Sequence, residues 1–277
     1  MTTSDSIIAY FASLIFAELG IIYEHENYYQ LESRLSDVAK QLDFSSIDDL
    51  YKAAQTSLTP AMKLLLFDFA TNNETLFFRD HNAFSAIESV VLANPSPKNR
   101  PLRVWSAACS TGQEVYSLAI LFEKIKDKMP YSGFEILASD ISERALAQAQ
   151  NGIYNQLQVQ RGLTATQLLA YFHQISDKEA SSEWQIKPEF KKHIRFCKLN
   201  LRDSFAKLDS FDLILCRNVL IYQSTKGKQD IIERLYSRLE DGGYLLLGAA
   251  ESLLGISDAF EMVQTPKATL YQKRVKK

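Results

Sequence analysis

Leu102-Arg103-Val104-Trp105-Ser106-Ala107-Ala108-Cys109-Ser110-Thr111-Gly112-Gln113-Glu114-Val115 decides the fold. An apolar run over residues 102–108 breaks at Cys109-Ser110-Thr111-Gly112. The chain then enters a segment whose Val115, Leu118, Phe122 and Ile125 lie on one helical face. Strand, glycine turn and helix in that order open a parallel βα unit, and the pattern repeats downstream. Residues 134–139 read as a second strand ending at Asp140, with a helix from about Glu143 to Gln150. Residues 193–199 read as a third strand ending at Asn200, and 211–216 as a fourth ending at Arg217-Asn218. A helix over 226–239 carries Ile231, Ile232, Leu235 and Leu239 on its apolar face. Asp241-Gly242-Gly243 then turns the chain into a strand at 244–248, and closing strands are expected near 260–263 and 269–272. The alternation implies an α/β fold, a mostly parallel sheet covered on both faces.

Upstream, the pattern is helical. Tyr28, Leu31, Leu35, Val38 and Leu42 make one apolar helix face, residues 48–55 a second helix, and Pro60 opens a third with Leu64, Leu65 and Phe67. The apolar stretch 7–17 is too short to span a bilayer and follows Asp5 rather than a basic leader, so it predicts a buried amphipathic helix, with no membrane insertion. Residues 94–101, with Pro95, Pro97 and Pro101, read as a loop. Residues 151–192 form a long insertion, with a helix near 164–172 and a short strand at 184–186; its length suggests a small appended lobe.

Composition narrows the function classes. With 46% hydrophobic and 23% charged residues over 277, the chain is an ordinary globular protein of one or two domains. Cys109, Cys197 and Cys216 stand far apart and form no zinc pattern. Their odd number fits a reducing, cytoplasmic compartment. A net charge of −2 does not suggest nucleic-acid binding. Residues 1–70 carry ten acids and four bases, a balance of −6, and residues 71–277 carry 23 acids and 27 bases, a balance of +4. That asymmetry supports two units without naming a partner.

In an open parallel sheet, ligands bind beyond the carboxyl ends of the strands. The polar residues at those ends are Ser110, Thr111 and Gly112, then Asp140, Asn200, and Arg217 with Asn218. Gly112 stands where backbone would approach a ligand closely. The turn is neither GxGxxG nor a P-loop, and an ordinary strand-to-helix turn capped by Ser or Thr is the plain alternative. Asp140 suits the two hydroxyls of an adenosine ribose. It also suits a helix cap, and a ribose acid serves NAD and S-adenosylmethionine alike.

Several stretches together resemble the CheR-type chemoreceptor glutamate methyltransferases. They are Thr71-Asn72-Asn73-Glu74-Thr75-Leu76-Phe77-Phe78-Arg79, the run from Val104 to Ser117, Ala138-Ser139-Asp140-Ile141, Asn151-Gly152-Ile153-Tyr154, Asn200-Leu201, and Cys216-Arg217-Asn218-Val219-Leu220-Ile221-Tyr222. They stand in that family's order over roughly residues 60–273. Gln113 replaces a usual second acid, Val115 a usual proline, and Glu251-Ser252 a frequent Glu-Asn pair.

The resemblance implies a helical N-terminal domain (1–70), then a Rossmann-like class I methyltransferase domain (71–277) with a small β subdomain inserted roughly within 155–200. It implies that Asn73, Thr75, Arg79, Glu114, Asp140, Asn200, Leu201, Arg217 and Asn218 surround S-adenosylmethionine. Glu114 or Asp140 would hold the ribose, Asp140 being preferred, and Arg79 and Tyr222 would touch the reacting carboxylate. The substrates would be glutamates in the cytoplasmic helical region of chemoreceptors, and nothing requires more than a monomer. Such a transfer needs no strong base, because glutamate, with a reference pKa near ~4.3, is already an anion at neutral pH. None of the four histidines falls in the matched stretches.

Adenine methyltransferases need an Asn/Asp-Pro-Pro-aromatic turn where Cys216-Arg217-Asn218-Val219 stands, and cytosine C5 enzymes a Pro-Cys pair that does not occur. Nucleic acid is therefore not the expected substrate. A small-molecule carboxyl or hydroxyl methyltransferase and a non-catalytic cofactor sensor are the alternatives.

Overall fold

Four helices come first: α1 (Thr3–Leu19), α2 (Tyr28–Gln41), α3 (Ile47–Thr56) and α4 (Pro60–Ala70). Ser46 caps α3 through the Asp49 N–H, and Thr59 caps α4 through Met62 with Pro60 in the first turn. Their apolar faces close on one core of Ile7, Phe11, Ile15, Leu31, Leu35, Val38, Leu50 and Leu66. The 17 residues of α1 rise about 26 Å, short of a bilayer's ~30 Å core. No helix among the described residues is long and apolar enough to cross a membrane.

The structure is a computed structural model describing residues 3–93, 99–176 and 182–275. Most of the proline-rich loop expected at 94–101 lies outside them. Beyond the four helices come α5 (His81–Leu92), β1 (Leu102–Ala107), α6 (Gln113–Ile125), β2 (Phe134–Asp140) and α7 (Glu143–Asn151). Then follow β3 (Ile153–Asn155), α8 (Gln156–Gln160), α9 (Ala165–Tyr171), β4 (Phe172–Ser176), β5 (Glu183–Ile186) and α10 (Pro188–Lys191). The chain closes with β6 (Ile194–Lys198), β7 (Phe211–Cys216), α11 (Thr225–Arg238), β8 (Leu239–Leu247), β9 (Phe260–Gln264) and β10 (Thr269–Lys273).

Seven strands form one sheet in the order β6-β2-β1-β7-β8-β10-β9. The first five run parallel, and β10 and β9 close the edge antiparallel. Every residue of β7 is buried, as a central strand covered on both faces requires. Successive residues serve opposite faces: Val104, Ile136 and Leu213 join the core that α5 and α6 cover, while Trp105, Leu137 and Ile214 join the core that α11 covers.

The turn expected at Asp241-Gly242-Gly243 lies inside β8. Phe211 pairs with Leu239 and Leu213 with Tyr244, so residues 240–243 are an irregular excursion within one strand. The inserted segment forms a second sheet, β3-β5-β4, fixed to the main body by Tyr154, whose ring lies 5.0 Å from that of Phe77.

Candidate active site

The strand order reverses beside β1: β2 lies on one side and β7 on the other. The loops after these two neighbours diverge and leave a crevice at the carboxyl end of the sheet. It holds about 960 Å³ of empty space, part of it open to solvent, a size that suits a small organic ligand. The ten residues that the resemblance assigns to the cofactor and the reacting carboxylate all line it, as does Ser110, whereas Thr111 and Gly112 do not. Asn73, Thr75 and Arg79 come from the segment before α5, Glu114 from the start of α6, and Asp140 from the end of β2. Asn200 and Leu201 follow β6, and Arg217, Asn218 and Tyr222 follow β7.

The backbone here is strained. Of six non-glycine residues with positive φ among the described residues, five (Phe78, Asp80, Ala108, Ser110 and Asn218) lie in these loops. Such conformations cost about 1–3 kcal/mol each and persist where surrounding contacts impose them. At Ser110 the contacts are explicit: its N–H donates to Asp140 Oδ2 (2.7 Å) and its hydroxyl to the Asn73 carbonyl (2.8 Å).

Gly112 departs from expectation. It does not line the cavity. Its φ is +94°, and a Cβ there would fall 2.9 Å from the Ala149 side chain and 3.0 Å from the Tyr154 hydroxyl. The glycine is required by packing against α7 and β3, while Ala108, Cys109 and Ser110 bring the backbone to the cavity. It also starts α6 without a side-chain cap. Nor is Asp140 the cap of α7. That role belongs to Ser142, which accepts from the Ala145 N–H.

Asp140 is buried, and each carboxylate oxygen accepts one backbone N–H, from Ser110 (2.7 Å) and Ser142 (2.9 Å). Burial pushes its carboxyl above the ordinary aspartate value, against backbone N–H groups, Ser142 and Ser110 foremost, that favour the anion. Glu114 is differently placed: Ser106 donates to one oxygen (2.8 Å) and Arg217 Nη1 to the other (3.0 Å). Arg217 also donates to the Arg79 carbonyl (2.8 Å) and lies 3.7 Å from Asp80. With its side chain only 3% exposed, it acts as an internal brace between the loops.

Arg79 donates to the Glu74 carbonyl (3.2 Å) and, among the described residues, has no carboxylate partner. The Tyr222 hydroxyl accepts from Asn72 Nδ2 (3.0 Å), which leaves its own proton free to be donated. Phe77 is fully buried and does not line the cavity. Burial pushes the Cys109 and Cys216 thiols well up, so neither is a ready nucleophile.

Among the lining residues not singled out from the sequence are Asn72, Gln223, and Leu19 with Ile21 from the end of α1 and the connector behind it. Asn72 carried a signal, because it sits in the same stretch as Asn73 and Thr75. Leu19 and Ile21 carried none; long-range contacts bring them here. The Gln223 amide donates to the Leu19 carbonyl (3.1 Å), Asn200 to Glu18 (2.9 Å) and Arg202 to Phe16 (3.1 Å). Glu18 and Leu19 belong to the last turn of α1, whose carbonyls lack a partner within the helix, while the Phe16 carbonyl also accepts from the Gly20 N–H (2.9 Å).

This fold and this crevice define an S-adenosylmethionine-dependent methyltransferase of class I. The chain belongs to the CheR family: the family's "CheR methyltransferase, SAM binding domain" matches residues 73–269. It is 35% identical to the chemotaxis protein methyltransferase Cher2 of Pseudomonas putida over 98% of this chain and 99% of that one. It is 36% identical to chemotaxis protein methyltransferase 1 of Pseudomonas aeruginosa over the same shares. Chemotaxis protein methyltransferase 1 of Vibrio cholerae is 35% identical over 98% of each chain. Among solved structures, the chain is similar to a TehB-like methyltransferase of Corynebacterium glutamicum (TM-score 0.41, 13% identity, 71% and 88% covered).

The residues present suit S-adenosylmethionine. Each Asp140 oxygen has accepted one N–H and retains capacity for a hydroxyl. Asn73, Thr75, Asn200 and Asn218 add further polar groups to the cavity wall.

Proposed function

We propose that this enzyme methylates glutamate side-chain carboxylates in the cytoplasmic helical region of methyl-accepting chemotaxis receptors, giving glutamate methyl esters during chemotactic adaptation in the cytoplasm. One observation carries the reading. Arg79, without a carboxylate partner, and Tyr222, with its hydroxyl proton free, share the crevice that Asp140 lines. A cation and a directed O–H donor are what an incoming carboxylate needs for orientation.

When bound, S-adenosylmethionine supplies an electrophilic methyl group. Asp140 holds the ribose hydroxyls. Glu114 is the poorer candidate because Ser106 and Arg217 already engage both its oxygens. Asn73, Thr75, Asn200, Leu201, Arg217 and Asn218 form the remaining walls of the cofactor site. Arg79 draws the carboxylate in by charge, and Tyr222 sets its angle by a hydrogen bond. No residue need remove a proton, since the acceptor arrives as an anion.

Residues 1–70 form the helical unit that meets the receptor, residues 71–277 the catalytic unit with its inserted β subdomain, and the enzyme works as a monomer. Incubating the enzyme and S-adenosylmethionine with receptor cytoplasmic fragments, then mapping the product by mass spectrometry, tests this. Methyl groups on glutamates, lost when those glutamates become glutamine, are the expected result. Methylation confined to small carboxylic acids would support the small-molecule alternative.

A further inference from the structure

Glu251 has no part in the site described so far. It sits just beyond β8, and its carboxylate meets four backbone donors. Oε2 accepts from the N–H groups of Asn218 (2.7 Å) and Gly248 (2.8 Å), and Oε1 from those of Val219 (2.9 Å) and Ile221 (3.3 Å). Among the described residues it forms no ion pair. A half-buried carboxylate with no cation beside it is held here by backbone N–H groups alone, and charge-assisted bonds of this kind are the strong ones.

Three of the four donors belong to the loop after β7 that carries Asn218 and Tyr222. Asn218 has a φ of +60°, and a 3-10 turn, Leu220–Tyr222, follows it at once. The Val219 and Ile221 N–H groups lie at the start of that turn, where no earlier carbonyl serves them. The other side of the lock is Gly248. A Cβ there would fall 2.7 Å from both Asn218 Nδ2 and Glu251 Oε2, and 2.9 Å from the Asn218 backbone nitrogen. Only a residue without a side chain lets carboxylate and loop meet.

We propose that Glu251 is a positioning residue of this active site, clamping the backbone of residues 218–221 so that the Tyr222 hydroxyl stands where it can orient the acceptor carboxylate. Asn72 fixes the far end of the Tyr222 side chain, and the Ile22 N–H fixes the Tyr222 carbonyl (2.9 Å). Glu251 supplies the third constraint, on the turn itself. The inference rests on Tyr222 acting at the reacting carboxylate, as proposed above.

The test combines E251Q, G248A and Y222F. Residue-resolved amide exchange on the cofactor-bound enzyme needs no methyl acceptor. In E251Q, the Asn218, Val219 and Ile221 amides should exchange at least roughly tenfold faster while Leu213 and Leu215 of β7 stay protected. Uniform loss of protection, or none at all, overturns the clamp. Turnover is then read at saturating S-adenosylmethionine with a receptor fragment as acceptor. E251Q and G248A should each lower kcat about tenfold or more. In the Y222F background E251Q should lower it by less than about twofold, because both changes remove one function. Independent, multiplying losses would show that Glu251 does not act through Tyr222. Wild-type turnover in Y222F alone would instead remove the underlying role of Tyr222, leaving the exchange result to decide the clamp.

Discussion

Arg79 and Asp140 separate the two tasks of the site, and single substitutions should separate them too. Arg79→Ala removes one charge-assisted bond, worth about 1.5–3 kcal/mol, so kcat should fall roughly 10- to 150-fold, with a smaller change in cofactor affinity. Steady-state kinetics beside calorimetry reads both. Asp140→Ala should act mainly on affinity, weakening S-adenosylmethionine by roughly 30-fold or more. Its burial also sets a pH dependence. Because the Asp140 carboxyl titrates above the ordinary aspartate value, affinity that depends on its anion is complete above that raised pKa. Affinity is then lost as pH falls through it, earlier than for an exposed aspartate. Calorimetric titrations at successively lower pH check this, and Asp140→Asn should remove that part of the slope. The sequence made these residues legible because each ends a strand or sits in a matched stretch. It misread Gly112 because a positive-φ glycine has the same letter whether a ligand or a neighbouring helix crowds it.

At the scale of elements, the strands of the large sheet were readable as apolar runs ended by a polar residue. Helix α5 was not, because Asp80 opens it in a left-handed conformation without a side-chain cap. The three residues of β3 and five of β4 are too few to show a period. Between α8 and α9 the inserted segment also approaches the main body closely. Gly162, at φ +107°, would place a Cβ 1.9 Å from the Phe77 carbonyl. Gly162→Ala should therefore destabilise the protein by more than about 1 kcal/mol, seen as a lower Tm by calorimetry. Gly133, also at positive φ but with nothing within 4 Å, should tolerate alanine with a smaller loss.

At the scale of the whole molecule, the end of α1 reaches the cofactor crevice. Leu19 and Ile21 line the cavity, an isolated bridge joins Ile21 to Gln223, and Gly20 leaves room for the Gln223 side chain. Gln223→Ala should thus weaken cofactor binding several-fold although it lies in the turn beside the helical unit, and calorimetry measures that loss. None of this was visible in the sequence, where residues 19–21 and 223 stand far apart and each reads as ordinary.

The central claim is that the product is a carboxyl methyl ester on a receptor. Labelled S-adenosylmethionine, the enzyme and chemoreceptor cytoplasmic fragments are incubated together, and the isolated fragment is then treated with mild alkali. Label that enters the receptor and leaves as methanol is the predicted result. Label that never enters any receptor fragment, or enters and withstands alkali, would contradict it.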